Sequence, residues 1–231
     1  MVNWLKNLFQ KKEPVALPDY WQRYLHTIVI QQPPTIPIAE AEFVVFDTET
    51  TGLDLKTDKV LSIGAVKVRG LQVLVQETFE VLVQQDVRTG NKSAEVHGIL
   101  PGQAQAGLPE QEALAVFLDF AGSAILVGHH VKFDVEMLNQ AVLRQGIKDR
   151  IRNYTIDTAQ LAIRLEQRHS SHDSFSRSGY SLDALVQKYN LPTEDRHTAS
   201  GDAFTTAILL LKLLALAGKR GIVTVEELVK G

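Results

Sequence analysis

The sequence contains no cysteine. That excludes disulfide scaffolds, thiolate-ligated metal sites and cysteine nucleophiles. Neither sign of charge is in excess: 24 Lys and Arg stand against 27 Asp and Glu in 231 residues, a formal net charge of −3. Composition therefore announces no basic nucleic-acid-binding surface, although local clusters set the field at any one site. No apolar run reaches the roughly 18 residues expected of a membrane-spanning helix. The opening MVNWLKNLFQKK lacks the early positive charge, long apolar stretch and small-residue cleavage site of a secretory signal. The expectation from these absences is a soluble, cytoplasmic protein. What is present, 45% hydrophobic and 22% charged residues, is the composition of a globular fold.

Residues 1–40 differ from the rest. Both tryptophans, Trp4 and Trp21, lie there. Trp4, Leu5, Leu8 and Phe9 share a helical face, and Tyr20, Trp21, Tyr24 and Leu25 repeat that spacing. Pro33, Pro34 and Pro37 then force an extended connection. Residues 1–40 read as an accessory helical arm with a proline-rich linker. Its aromatics are expected to pack on a main domain at 41–231, with a partner- or membrane-surface helix as the alternative.

The main domain opens with Phe43-Val44-Val45-Phe46, an uninterrupted apolar run typical of a buried strand. Strand-like runs at Val60–Val68 and Leu74–Val83 follow, with Gly70 between them, which predicts an antiparallel meander. Helical spacing then appears at Glu110–Phe120, Asp134–Gln145, Thr158–Leu165, Ser181–Tyr189 and Gly201–Ala217, alternating with short apolar strands at Ala124–Val127 and Tyr154–Ile156. Such alternation implies parallel pairing through crossovers, hence an α/β mixed sheet flanked by helices. Arg168–Gly179 is polar and serine-rich and reads as a loop.

Acids recur at the ends of these elements. Asp47 and Glu49 follow the first buried strand and, being two apart, point to one face. Asp134 follows the strand at Ala124–Val127, and Asp202, with His197 five residues earlier, stands at a helix start. Singly, each has an ordinary role: a turn residue, a helix cap or a surface histidine. In a sheet of this kind, strand ends and helix N-termini converge on one edge. Four acids gathered there would make an oxygen-rich site suited to Mg²⁺ or Mn²⁺ rather than zinc.

Three segments carry a resemblance: Phe46-Asp47-Thr48-Glu49-Thr50-Thr51-Gly52, Gly128-His129-His130-Val131-Lys132-Phe133-Asp134 and His197-Thr198-Ala199-Ser200-Gly201-Asp202-Ala203. They resemble the three motifs of the DEDD 3′–5′ exonucleases in their His form, and most closely the DnaQ-like group that includes proofreading epsilon subunits of bacterial DNA polymerase III. Val96-His97-Gly98-Ile99 and Ile156-Asp157-Thr158 resemble two further marks of that group. The resemblance implies a ribonuclease-H-like sheet of five strands. It implies that Asp47, Glu49, Asp134 and Asp202 hold two divalent cations, and that His197 is the general base. It also implies substrate contacts from Thr50, Thr51, Gly52, Leu53, His97 and Phe133. At position 130 the group usually has Asn where this sequence has His, so the contact expected of His130 departs from the pattern.

The function implied is metal-dependent removal of nucleoside 5′-monophosphates from a 3′ end of DNA, single-stranded ends preferred, in proofreading or repair. RNA-directed trimming, a polymerase-associated subunit inactive without its partner, and internal cleavage are the competing readings. The residues after Asp202 read as one helix and a short tail, so a DNA polymerase or other protein partner would be met through residues 1–40, with a stand-alone enzyme as the alternative.

Overall fold

The computed structural model describes residues 17–29, 35–86, 94–166 and 177–229. The expected helix at Trp4–Phe9, the linker prolines Pro33 and Pro34, and most of the serine-rich loop lie outside the described residues.

The apolar run at Phe43–Phe46 lies inside β1 (Glu42–Thr50), buried on both faces. β2 (Val60–Arg69) and β3 (Gln72–Leu82) complete the meander. β4 (Ile125–Gly128) pairs parallel with β1, and β5 (Thr155–Asp157) parallel with β4. The strand order is β3-β2-β1-β4-β5, so β1 is central. The mixed five-stranded sheet matches the sequence expectation.

Two cores sandwich it. On one face, Val44 and Phe46 of β1 pack with α4 (Glu110–Ala121) and α5 (Val131–Arg144) through Phe117, Met137 and Leu138. α1 (Asp19–Val29) joins this core: Trp21 is 0% exposed, and Tyr20, Tyr24 and Ile28 are buried with it. The Tyr24 hydroxyl donates to Asn153 Oδ1 at 2.9 Å and accepts the Arg152 N–H at 2.6 Å. The second aromatic stripe of the arm is therefore spent on the main core.

On the other face, Val45 packs with α6 (Thr158–Glu166), α7 (Leu182–Tyr189), α8 (Ala199–Lys219) and α9 (Val225–Val229). α8 corrects one expectation. Over 18 residues its mean hydropathy is 1.5, the length and apolarity of a membrane span. It is apolar because it is a core helix, with Leu209, Leu210, Leu213 and Leu214 buried against the sheet. Each such side chain contributes about 1.5–3 kcal/mol of burial.

Helix starts also moved. α5 begins at Val131, three residues ahead of its periodicity, because His130 takes a left-handed conformation (φ 63°) and turns the chain directly out of β4. Gly128 permits this close start, since a Cβ there would lie 3.2 Å from the Phe46 carbonyl oxygen. The short helices α2 (Ala94–His97), α3 (Pro101–Gln105) and α9 were not anticipated.

Candidate active site

The site forms where the parallel strands end. Asp47 and Glu49 sit on the last residues of β1, fixed by the ladder to β2 in the register Asp47↔Gly64 and Glu49↔Ser62. Gly64 brings the third acidic segment to them. A Cβ at this position would lie 2.2 Å from the backbone of Ala199 and Ser200, so only glycine lets the first turn of α8 rest on the strand opposite Asp47. Asp202 is the fourth residue of that helix. The result is that Asp47, Glu49 and Asp202 each offer a carboxylate oxygen, all within 4.8 Å of one another.

Asp134 reaches the same strand end from the opposite layer, in the first turn of α5. Its Oδ1 accepts the Thr48 hydroxyl at 2.6 Å and the Thr48 N–H at 3.2 Å. It stands outside the tight trio but acts on it electrostatically. Thr48 is a residue that sequence reasoning missed. Its side chain alternates to the face away from Asp47 and Glu49 and anchors the fourth acid.

Electrostatics show what the cluster costs when no cation compensates it. Burial raises the Asp47 carboxyl well above the usual carboxylate range, and the charges of Asp134 and Glu49 add to this. Burial likewise raises Glu49 to about 7, with Asp134 adding. Burial raises Asp134 as well, against the pull of its Thr48 hydrogen bonds. Buried like charges of this kind call for a neutralising partner. All the clustered donors are oxygens, which fits a hard divalent cation such as Mg²⁺ or Mn²⁺.

His197 lies in an exposed turn ahead of α8, at φ 64°, and its backbone N–H donates to Asp202 Oδ1 at 3.3 Å. The turn is held by the Thr198 hydroxyl, which donates to the Asp195 carbonyl at 2.7 Å and accepts the Gly201 N–H at 3.1 Å. Between Asp195 and His197 stands Arg196, which sequence reasoning passed over. Its guanidinium pairs with Asp202 and with Asp183 of α7, leaving its side chain 12% exposed. Its adjacency to the histidine was the only available signal.

The residues expected to contact substrate lie on the loop after β1, on α2 and on α5. The Thr50 hydroxyl donates to the Gly52 carbonyl at 2.7 Å, and the Thr51 hydroxyl to Asp58 Oδ1 at 2.7 Å. Asp58 thus builds the loop after β1, and a Cβ on Gly52 would strike its carboxylate at 2.4 Å. Leu53 projects from this loop, 83% exposed. Beside Glu49 opens a cleft of about 420 Å³ lined by Ser62, Glu80, His97, Ile99 and Thr198 among others. His97 is buried there. Its Nδ1 accepts the Ile99 N–H at 3.0 Å, so Nε2 carries the proton, and Nε2 has no hydrogen-bond partner among the described residues. Phe133 is partly buried against the core.

The left-handed His130 sets its ring 4.7 Å from that of His129, centroid to centroid, where an extended segment would turn the two side chains apart. His129 is nonetheless unsuited to ligation. Its Nε2 donates to the Tyr180 carbonyl at 3.0 Å, its Nδ1 lies 3.0 Å from the Thr158 hydroxyl, and burial lowers it to about 4.

Residues 44–210 match the family model described as an exonuclease of the RNase_T type. The chain is 34% identical over 176 residues, 76% of its length, to a PolC-type DNA polymerase III of Latilactobacillus sakei. It is 35% identical over 191 residues, 81% of its length, to a "DNA polymerase III subunit epsilon-like protein" of Rhodobacter capsulatus. It spans only 11% and 26% of those relatives. Among solved structures, Escherichia coli exonuclease I in complex with a dT13 oligonucleotide aligns over 79% of this chain and 43% of its own, with TM-score 0.64 and 17% identity. Exonuclease X in complex with 5′ overhanging duplex DNA aligns over 82% of this chain and 97% of its own, with TM-score 0.60 and 22% identity. The fold of these exonucleases is the mixed, ribonuclease-H-like sheet described above.

Proposed function

This chain belongs to the exonuclease family, and from that premise we propose that it removes nucleoside 5′-monophosphates, one at a time, from the 3′ end of DNA, single-stranded ends preferred. The observation that carries the reading is the gathering of Asp47, Glu49 and Asp202 at the end of β1, beside the open cleft lined by His97. DNA is favoured over RNA because the two solved relatives are bound to DNA. Polymerase association, in proofreading or repair, is supported by the similarity to a PolC-type DNA polymerase III and to an epsilon-like subunit.

Asp47, Glu49, Asp134 and Asp202 are the residues that would hold two divalent cations, Mg²⁺ or Mn²⁺. When bound, such a pair lowers the pKa of an attacking water and stabilises the charge that develops on the leaving 3′ oxygen. His197 takes the proton from that water, from a turn exposed enough to admit both water and substrate. The loop at Thr50–Leu53 receives the terminal sugar through its backbone, and exposed Leu53 wedges against the last base. His97 donates its Nε2 proton to the terminal nucleotide, which supplies a partner that atom lacks among the described residues. Single strands are preferred because a duplex end must fray before its last nucleotide enters the cleft.

The test is digestion of matched 5′-labelled single-stranded DNA and RNA with Mg²⁺ or Mn²⁺, beside an Asp47→Ala variant and an EDTA control. The expected result is a one-nucleotide ladder from the 3′ end of DNA, absent from both controls. Faster digestion of RNA would transfer the assignment to an exoribonuclease. No cleavage by a folded, metal-loaded chain would mean a subunit that works only with its partner.

A further inference from the structure

Arg196 is a largely buried cation paired with the acids. The residues on either side of it, Asp195 and His197, take left-handed conformations at φ 57° and φ 64°. Non-glycine residues seldom adopt this geometry, and here the Thr198 and Gly201 hydrogen bonds enforce it. Gly201 is required for it, since a Cβ there would lie 1.9 Å from the Asp195 carbonyl oxygen. The turn therefore directs the Arg196 side chain inward. Its guanidinium bridges Asp202, inside the carboxylate trio, and Asp183, outside it. Asp202 Oδ1 also accepts the His197 N–H, so this oxygen already has two donors. The positive charge acts beyond its own pair, opposing the rise of the Asp47 and Glu49 carboxyls.

We propose that Arg196 is a built-in competitor for the divalent cations: it holds Asp202 and offsets the charge of the cluster until an entering cation displaces it onto Asp183. The inference rests on the proposed role of the four acids as cation holders. Its logic is electrostatic. A dication and a guanidinium cannot share one carboxylate oxygen without like-charge repulsion, so each binds at the other's expense. The metal-free fold gains one compensating charge at the cluster, and the cations bind more weakly than the bare acids would allow. Asp183, in the first turn of α7, gives the displaced guanidinium a carboxylate to keep.

The test is Mn²⁺ binding to the full chain without nucleic acid, followed by the paramagnetic resonance signal of free Mn²⁺, together with melting in EDTA. Arg196→Gln is expected to bind Mn²⁺ roughly tenfold more tightly than the wild type and to melt lower in EDTA. Arg196→Lys, which keeps the charge on a shorter reach, should fall between them. Lys212→Gln, an exposed charge further along α8, should change Mn²⁺ affinity by no more than about twofold. Unchanged or weaker Mn²⁺ binding by a folded Arg196→Gln variant would overturn the proposal and leave the exonuclease reading standing. Should that variant fail to fold, Arg196→Lys decides, and wild-type affinity in it would likewise overturn the proposal. Absence of Mn²⁺ binding by the wild type would instead remove the cation-site reading on which the proposal rests.

Discussion

The two ends of the site are built on opposite principles. Asp47 and Glu49 belong to a central strand, hydrogen-bonded on both sides near its buried apolar run, and can scarcely move without unzipping the sheet. His197 and Arg196 belong to a turn with two left-handed residues, exposed at the histidine and held by a few side-chain and backbone bonds. The strand end suits groups that must endure mutual repulsion in fixed places. The turn suits groups that exchange protons or partners during a cycle. Charge therefore accumulates on the sheet, while the proposed proton acceptor and the competing cation stand on a turn outside it.

That contrast can be broken from either side. The largest effect should come from the strand. Asp47→Asn should reduce turnover by at least roughly a thousandfold, while its metal-free melting temperature stays level or rises, because a repelled, half-buried carboxylate is gone. Loss of the fold in this variant would mean that Asp47 supports the strand structurally. His197→Ala should cost about a hundredfold or more in turnover, with the melting curve unchanged, since the side chain lies in an exposed turn. An equal fall in stability would show the turn to be part of the core.

Gly64→Ala tests how the halves are joined. Its Cβ would collide with the backbone of Ala199 and Ser200 and push α8 from β2. We expect a loss of about 1–3 kcal/mol in stability, and a fall in turnover larger than that loss of folded protein explains. The smallest effect is in pH dependence. The Glu49 carboxyl is raised to about 7 in the folded chain, so the folded state holds its proton more tightly than the unfolded state. That contribution to stability is complete below the unfolded carboxylate range and is lost as pH rises through about 7. Metal-free melting temperatures should therefore fall between about pH 4.5 and 7 and then level, and Glu49→Gln should flatten the slope.

Much of the strand side was legible in the sequence. Phe43–Phe46 is apolar on both faces, so it reads as a central strand, and acids placed just after it mark the functional edge. The five strands and the longer helices follow from periodicity. The turn side was legible only as a motif. Nothing in the spacing of Arg196 shows that it pairs with Asp202 and Asp183, because Asp183 comes from a different helix. The need for glycine at positions 64 and 201 is likewise set by backbone brought from elsewhere in the chain, which periodicity does not report. The left-handed His130 moved the start of α5 and the histidine geometry with it. α2, α3 and α9 have four or five residues, too few for a helical period to register. The arm was half legible. Its aromatic spacing announced α1, but the depth at which Trp21 is buried depends on partners more than a hundred residues away, such as Asn153 beneath Tyr24.

Everything proposed for this site depends on the carboxylates at the end of β1 holding a cation. The most direct measurement is the melting temperature of the full chain at pH 8, with and without Mn²⁺, for the wild type and Asp47→Asn. Mn²⁺ should raise the melting temperature of the wild type clearly and that of the variant little or not at all. An equal rise in both, or none in the wild type, would contradict the cation site.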